Sequence, residues 1–167
     1  MAYMSVDSLR NNLTNPARGY LWEALIPNPP SGDSETMLLR CVSASLPSRS
    51  FGAILIPFKQ SAGVKFPGKL TYDHIIDLTF LEGEDRAMFD AFYEWCNTIV
   101  NDKTGVGSVS VKTDIYLHLL NTDGEVALKI RLVGCYPERM SDVPLDMGSE
   151  AEMRFTIGFS FDRWEKG

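Results

Sequence analysis

Glu152-Met153-Arg154-Phe155-Thr156-Ile157-Gly158-Phe159-Ser160-Phe161-Asp162 is the stretch on which the fold turns. Met153, Phe155, Ile157, Phe159 and Phe161 alternate with Glu152, Arg154, Thr156, Gly158, Ser160 and Asp162. A period of two places the apolar groups on one side of an extended chain, which predicts a half-buried β-strand. The same period recurs upstream. In Leu70–Leu81, Tyr72, His74, Ile76, Leu78 and Phe80 share one face, opposite Thr71, Asp73, Ile75, Asp77 and Thr79. Asp114–Leu120 and Glu125–Cys135 flank Asn121-Thr122-Asp123-Gly124, and Asp-Gly is a hairpin signal. Val126, Leu128, Ile130 and Leu132 share a face of the second of these strands. Gly19–Ile26 and Met37–Ser45 are two more predicted strands, separated by Pro27-Asn28-Pro29-Pro30 and a loop over 31–36.

One segment departs from this period. Within Arg86–Val100, Met88, Phe92, Trp95 and Ile99 recur at helical spacing, with Phe89 and Cys96 alongside. Glu82-Gly83-Glu84-Asp85 precedes them, with acids suited to the positive end of a helix dipole. This is the one strong helix signal. The expected fold is therefore mainly β (α+β), a barrel or sandwich of about six to eight strands with one helix over 84–100 packed on it. Loops are expected over 101–113 and from Tyr136-Pro137 to Gly148, and a polar arm over 1–18.

Composition supports a packed domain. The chain has 167 residues, 44% hydrophobic and 23% charged, which is ordinary globular usage. One domain spanning 1–167 is the reading that length favours. Disorder, collagen and coiled coil do not fit the composition. The longest nearly apolar run, Phe51–Phe58, is too short for a spanning helix, and no signal peptide is visible, so no membrane anchoring is expected. Cys41, Cys96 and Cys135 are odd in number and widely spaced, which suits reduced thiols.

Residues 46–69 are unusual. Apolar pieces at Phe51–Gln60 and Gly63–Phe66 flank Ser61-Ala62, punctuated by Pro47, Pro57 and Pro67. Proline suits edge strands and loops, so this stretch is expected to be an extended hairpin or flap that docks onto something. Charge adds to the picture. Net charge is −6, yet no acid lies between Thr36 and Tyr72, where Arg40, Arg49, Lys59, Lys65 and Lys69 stand. A basic surface of this kind fits an acidic one, including one on another copy of the chain.

No catalytic constellation is readable. Gly63-Val64-Lys65-Phe66-Pro67-Gly68-Lys69 fits the opening of a phosphate-binding loop, but Leu70 stands where Ser or Thr must hold magnesium, and a strand follows instead of a helix. His74 and His118 are the only histidines, and neither has a Cys or His at metal spacing. No cofactor or metal is expected. A ligand-binding sandwich would display exposed aromatics, of which Tyr20 with Trp22 is the only hint.

The order of these pieces is informative. An early GYLWEALI strand, the apolar flap, the helix with Phe92-Tyr93-Glu94-Trp95-Cys96-Asn97, the segment Gly134-Cys135-Tyr136-Pro137 through Ser141-Asp142-Val143-Pro144-Leu145, and the terminal alternating strand follow one another. Over residues 17–165 this order resembles the tail tube proteins of contractile-tailed bacteriophages, which are similar to the tube proteins of type VI secretion and R-type bacteriocins. The resemblance implies a non-enzymatic virion protein. Six subunits would form a ring, and rings would stack head-to-tail into a hollow tube through which DNA passes during ejection. It implies partners in the sheath, the baseplate or tube initiator, the tail terminator and the tape-measure protein, with assembly in the host cytoplasm. A baseplate tube initiator of the same fold, or a tube from a non-phage injection system, is the alternative. Carried onto this sequence, Arg49, Phe51, Ile54, Ile56, Phe58, Lys59, Lys65 and Phe66 are the expected inter-ring contacts. Glu82, Glu84, Asp85, Asp90 and Glu94 are the expected acidic counter-surface. Asp73, Asp77, Glu152, Thr156 and Ser160 are the expected lumen-facing positions, since a bore that passes DNA must not grip phosphate.

Overall fold

The computed structural model describes residues 5–13, 15–108 and 111–167. The remaining positions of the expected arm and of the 101–113 loop lie outside the described residues. The elements in chain order are α1 (Val6–Asn12), β1 (Trp22–Leu25), α2 (Ser34–Arg40), β2 (Cys41–Ser43), β3 (Ser50–Phe58), β4 (Ser61–Thr71), β5 (Ile75–Leu81), α3 (Ala87–Ile99), β6 (Thr113–Leu120), β7 (Val126–Met140), β8 (Arg154–Ser160) and β9 (Arg163–Lys166). The expected mainly β architecture is what forms. Seven strands make one antiparallel, nearly closed sheet in the order β1-β6-β7-β8-β5-β2, with β9 also paired to β7.

β8 and β9 are one long strand interrupted at Phe161-Asp162. Both run along β7, with Tyr136 opposite Ser160 and Val133 opposite Arg163. The interruption is matched on β7 by Gly134, whose φ is +70°. A Cβ there would meet the Asp162 carboxylate at 2.3 Å, so the crossing needs glycine.

The inside of the sheet holds the core. Ile76, Leu78 and Phe80 of β5 meet Phe155, Ile157 and Phe159 of β8, as the alternation predicted. Ile115 and Leu117 of β6 and Ile130 and Leu132 of β7 complete the apolar lining. Helix α3 covers it with Met88, Ala91, Phe92 and Trp95, while Phe89 stays partly exposed. Phe92 stacks into an aromatic group, with ring centroids 4.9 Å from Phe80 and 5.9 Å from Phe159. Trp95 donates its indole N–H to the Val111 carbonyl at 3.3 Å, which satisfies the one polar atom that this large ring buries.

Several expected boundaries move, each for a local reason. The strand expected over Met37–Ser45 is instead α2 followed by the short β2. Asp33 caps α2 by accepting from the Thr36 N–H at 2.9 Å, and good helix formers follow it. The single strand expected over Leu70–Leu81 is broken at Tyr72–His74, where His74 takes a left-handed φ of 58°. The loop expected from Tyr136 is still strand as far as Met140. β6 ends opposite Cys135, so beyond it β7 is an edge and the missing N–H of Pro137 is tolerated. The first strand is shorter than Gly19–Ile26, α3 starts at Ala87, and part of the polar arm is helical as α1.

Candidate assembly interface

β3 and β4 form a separate two-stranded sheet outside the main one. Its side chains have no body to pack on. Phe51, Ile54, Leu55, Ile56, Phe58 and Val64 are each more than half exposed. Register sorts them onto two faces. Ile54 pairs with Phe66 and Ile56 with Val64 on one face, while Ala53 pairs with Pro67 and Leu55 with Lys65 on the other. One face is therefore apolar, and the other sets Lys65 among Ala53, Leu55 and Pro67. Gly68 lies so close to Gly52 that a Cβ would come within 2.9 Å of the Gly52 carbonyl carbon, which keeps the two backbones tightly apposed. Pro57 and Pro67 each remove one N–H from the ribbon.

The root of this hairpin is clamped. Ser50 and Thr71 share a hydroxyl hydrogen bond of 2.7 Å. Ser48 donates to Asp73 at 2.8 Å, and the Trp164 indole N–H donates to the Ser48 carbonyl at 3.2 Å. The Arg49 guanidinium sits 4.6 Å from the Trp164 ring centroid, and Tyr72 adds an edge contact to Trp164. Of the expected contact residues, Phe51, Ile54, Ile56, Phe58, Lys59, Lys65 and Phe66 lie on this hairpin, while Arg49 sits at its root against Trp164.

The expected acidic counter-surface divides. Glu84, Asp90 and Glu94 are exposed. The Glu82 side chain is 1% exposed and accepts from the backbone N–H groups of Gly83, Met88 and Phe89, at 3.0, 3.3 and 2.6 Å. It caps α3, whose N-cap residue Arg86 supplies no side-chain cap. Asp85 receives a bidentate pair of hydrogen bonds from Arg40 at 2.9 and 2.8 Å, which hold its carboxyl down at about 2. Glu82 and Asp85 therefore serve the subunit itself, tying α2 to the start of α3.

The five expected lumen positions do not form one row. Asp77, Thr156 and Ser160 lie on the face of β5 and β8 opposite the core. Asp77 accepts from Arg139 at 2.8 Å, and the pair reaches across Gly158. Thr156 shares a hydroxyl bond of 2.9 Å with Thr79. Asp73 lies in the bend at one end of these strands, and Glu152, paired with Arg154, lies before β8 at the other. The acids on this face and at its ends are neutralised or hydrogen-bonded.

Among the described residues, no group of His, Cys, Asp or Glu is placed to hold a metal ion. No helix among them is long and apolar enough to cross a membrane. Burial pushes the Cys41 and Cys135 thiols up to about 12, so neither supplies a thiolate.

The family described as phage tail tube protein matches residues 23–166. The chain belongs to this family. The family is one of structural tube proteins, and its match covers the whole seven-stranded sheet except the first residue of β1. Solved structures share the fold. A chain of the anti-feeding prophage tube-terminating cap is 22% identical over 93% of both chains, with a TM-score of 0.70. A chain of the PVC sheath–tube complex, an extracellular contractile injection system in its extended state, is 18% identical over 99% of both chains, with a TM-score of 0.68. A chain of the anti-feeding prophage baseplate is 13% identical over 93% of this chain and 97% of that one, with a TM-score of 0.69. A search of curated proteins found no match.

Sequence reasoning missed one exposed region. The segment between β7 and β8 displays Leu145, which is 84% exposed, and Met147 beside it. The signal was present: Asp142, Asp146, Glu150 and Glu152 lie between Ser141 and Met153 with no Lys or Arg among them.

Proposed function

We propose that this chain is the inner-tube subunit of a contractile injection system, with six copies closing a ring and rings stacking head-to-tail into a hollow tube. The observation that carries the reading is the β3–β4 hairpin, an apolar ribbon with both faces uncovered in a family of tube proteins. In the ring, the outer edges of the sheet pair between neighbouring subunits, which removes them from solvent. The hairpin reaches the adjacent ring. Asp73, Asp77, Glu152, Thr156 and Ser160 contribute to a lumen without free positive charge, where Arg139 and Arg154 are held by Asp77 and Glu152. In a phage, such a bore passes DNA without gripping it. The sheath, baseplate, terminator and tape-measure protein are the partners this role requires, in a virion tail assembled in the host cytoplasm. The chain works as one domain, without catalysis or cofactor.

Negative-stain electron microscopy of the purified protein over a concentration series tests this. Long hollow tubes of stacked rings are the expected result. Monomers at every concentration would overturn it. Isolated six-fold rings would favour a second reading, a ring-forming cap or initiator, which the likeness to a tube-terminating cap and a baseplate chain supports.

A further inference from the structure

The exposed hairpin and the 141–153 segment lie at opposite ends of one strand pair. β5 and β8 pair antiparallel, with Ile75 opposite Ser160 and Leu81 opposite Arg154. The hairpin root at Thr71 and Trp164 adjoins the first of these ends, while the segment 141–153 enters β8 at the second. Seven extended residues separate them, or about 20 Å at roughly 3.3 Å per residue. Between β7 and β8 this segment forms an open groove of about 750 Å³, lined by Val143, Pro144, Leu145, Met147 and Met153 and edged by Asp146 and by the Glu152–Arg154 ion pair. The hairpin tip is its complement: an exposed Phe58 with Lys59 beside it, on a ribbon that has Lys65 and Lys69 and no acid. Of the acids at this end, Glu82 is buried, Asp85 is bound to Arg40 and Glu152 is bound to Arg154, which leaves Asp142, Asp146 and Glu150 as the acids that the 141–153 segment offers beside its apolar groove.

We propose that the 141–153 groove of one subunit receives the hairpin tip of the next copy, with Phe58 among Val143, Leu145 and Met147 and Lys59 against Asp146 and Glu150. Donor and acceptor lie at opposite ends of one chain, so the contact is heterologous. Each subunit that accepts a tip still offers its own, and a contact of this kind propagates without closing. The inference rests on the tube reading above and specifies which surface joins successive rings.

A zero-length carbodiimide cross-linker applied to assembled wild-type protein, made from mixed light and heavy isotope-labelled copies, tests it by peptide mapping. Mixed-label links from Lys59 or Lys65 to Asp146, Glu150 or Glu152 are expected. Tubes in which these lysines link only to Glu84, Asp90 or Glu94, or to no acid of the 141–153 segment, would overturn the docking and leave the tube reading intact. No self-association at any concentration would overturn both. A second measurement uses charge. Lys59→Glu with Lys65→Glu should raise the protein concentration needed for tubes at least tenfold with an unchanged melting temperature, and adding Asp146→Lys with Glu150→Lys should lower it again. Tubes that form equally well with the lysines reversed would also overturn the docking.

Discussion

Helix α3 and the β3–β4 hairpin draw on the same kinds of side chain and use them in opposite ways. Phe92 and Trp95 are 0% exposed, enclosed by Phe80 and Phe159. Ile54, Ile56 and Phe58 are uncovered on a ribbon that leaves the body. The burial that stabilises the subunit is complete without the hairpin, and the apolar surface of the hairpin remains available for contact between copies. At about 25 cal/mol per Å² of apolar surface removed from water, that reserve is a large driving force once a second copy arrives. Folding therefore rests on one set of residues, and in the proposed tube assembly rests on another.

The comparison can be broken from either side. Trp95→Ala should remove the largest buried ring and cost about 3–5 kcal/mol of subunit stability, read as a large fall in the melting midpoint. A small fall would mean that α3 is not the plug of the core. Ile54→Ser with Ile56→Ser and Phe58→Ser should change subunit stability by no more than about 0.5 kcal/mol per site and yet abolish tubes in the microscope. A collapse in melting temperature would instead place the hairpin within the folding core.

Two smaller effects sharpen the boundary between these regions. Glu82→Ala should cost about 1–3 kcal/mol in chemical denaturation, because three amide donors around the start of α3 lose their acceptor. Retained stability would return Glu82 to the assembly surface. The Asp85 carboxyl lies at about 2 in the folded chain against an ordinary 3.8, so its link to Arg40 stabilises fully above about pH 4 and fades as pH falls toward 2. Asp85→Asn should therefore lower the melting temperature modestly at pH 6 and not at pH 2. Equal shifts at both values would detach the effect from the ion pair.

Much of this division was readable from the residues. The alternation in 153–161 and the helical spacing of Met88, Phe92 and Trp95 fixed the core, because each pattern runs long enough to separate one period from another. The hairpin stood out because apolar residues and prolines together suit neither a core strand nor a helix. Met37-Leu38-Leu39-Arg40 reads as a strand because four residues cannot display a helical period, although Asp33 marks a helix start. Pro137 suggested a loop because a strand edge is invisible until its neighbours are known. The 141–153 segment gained meaning only when the register of β5 with β8 set it at the far end from the hairpin. The roles of Glu82 and Asp85 were hidden for a similar reason: acidity is legible in a sequence, and the distant Arg40 that engages it is not.

Pro57 and Pro67 carry one more consequence. A ribbon of exposed β-branched and aromatic residues is a template on which further strands can add through their backbones, the route to amyloid. Each proline deletes a donor from that template, so neither strand offers an unbroken ladder to an incoming chain. The ribbon is thus guarded against strand addition along its backbone while its side chains stay uncovered.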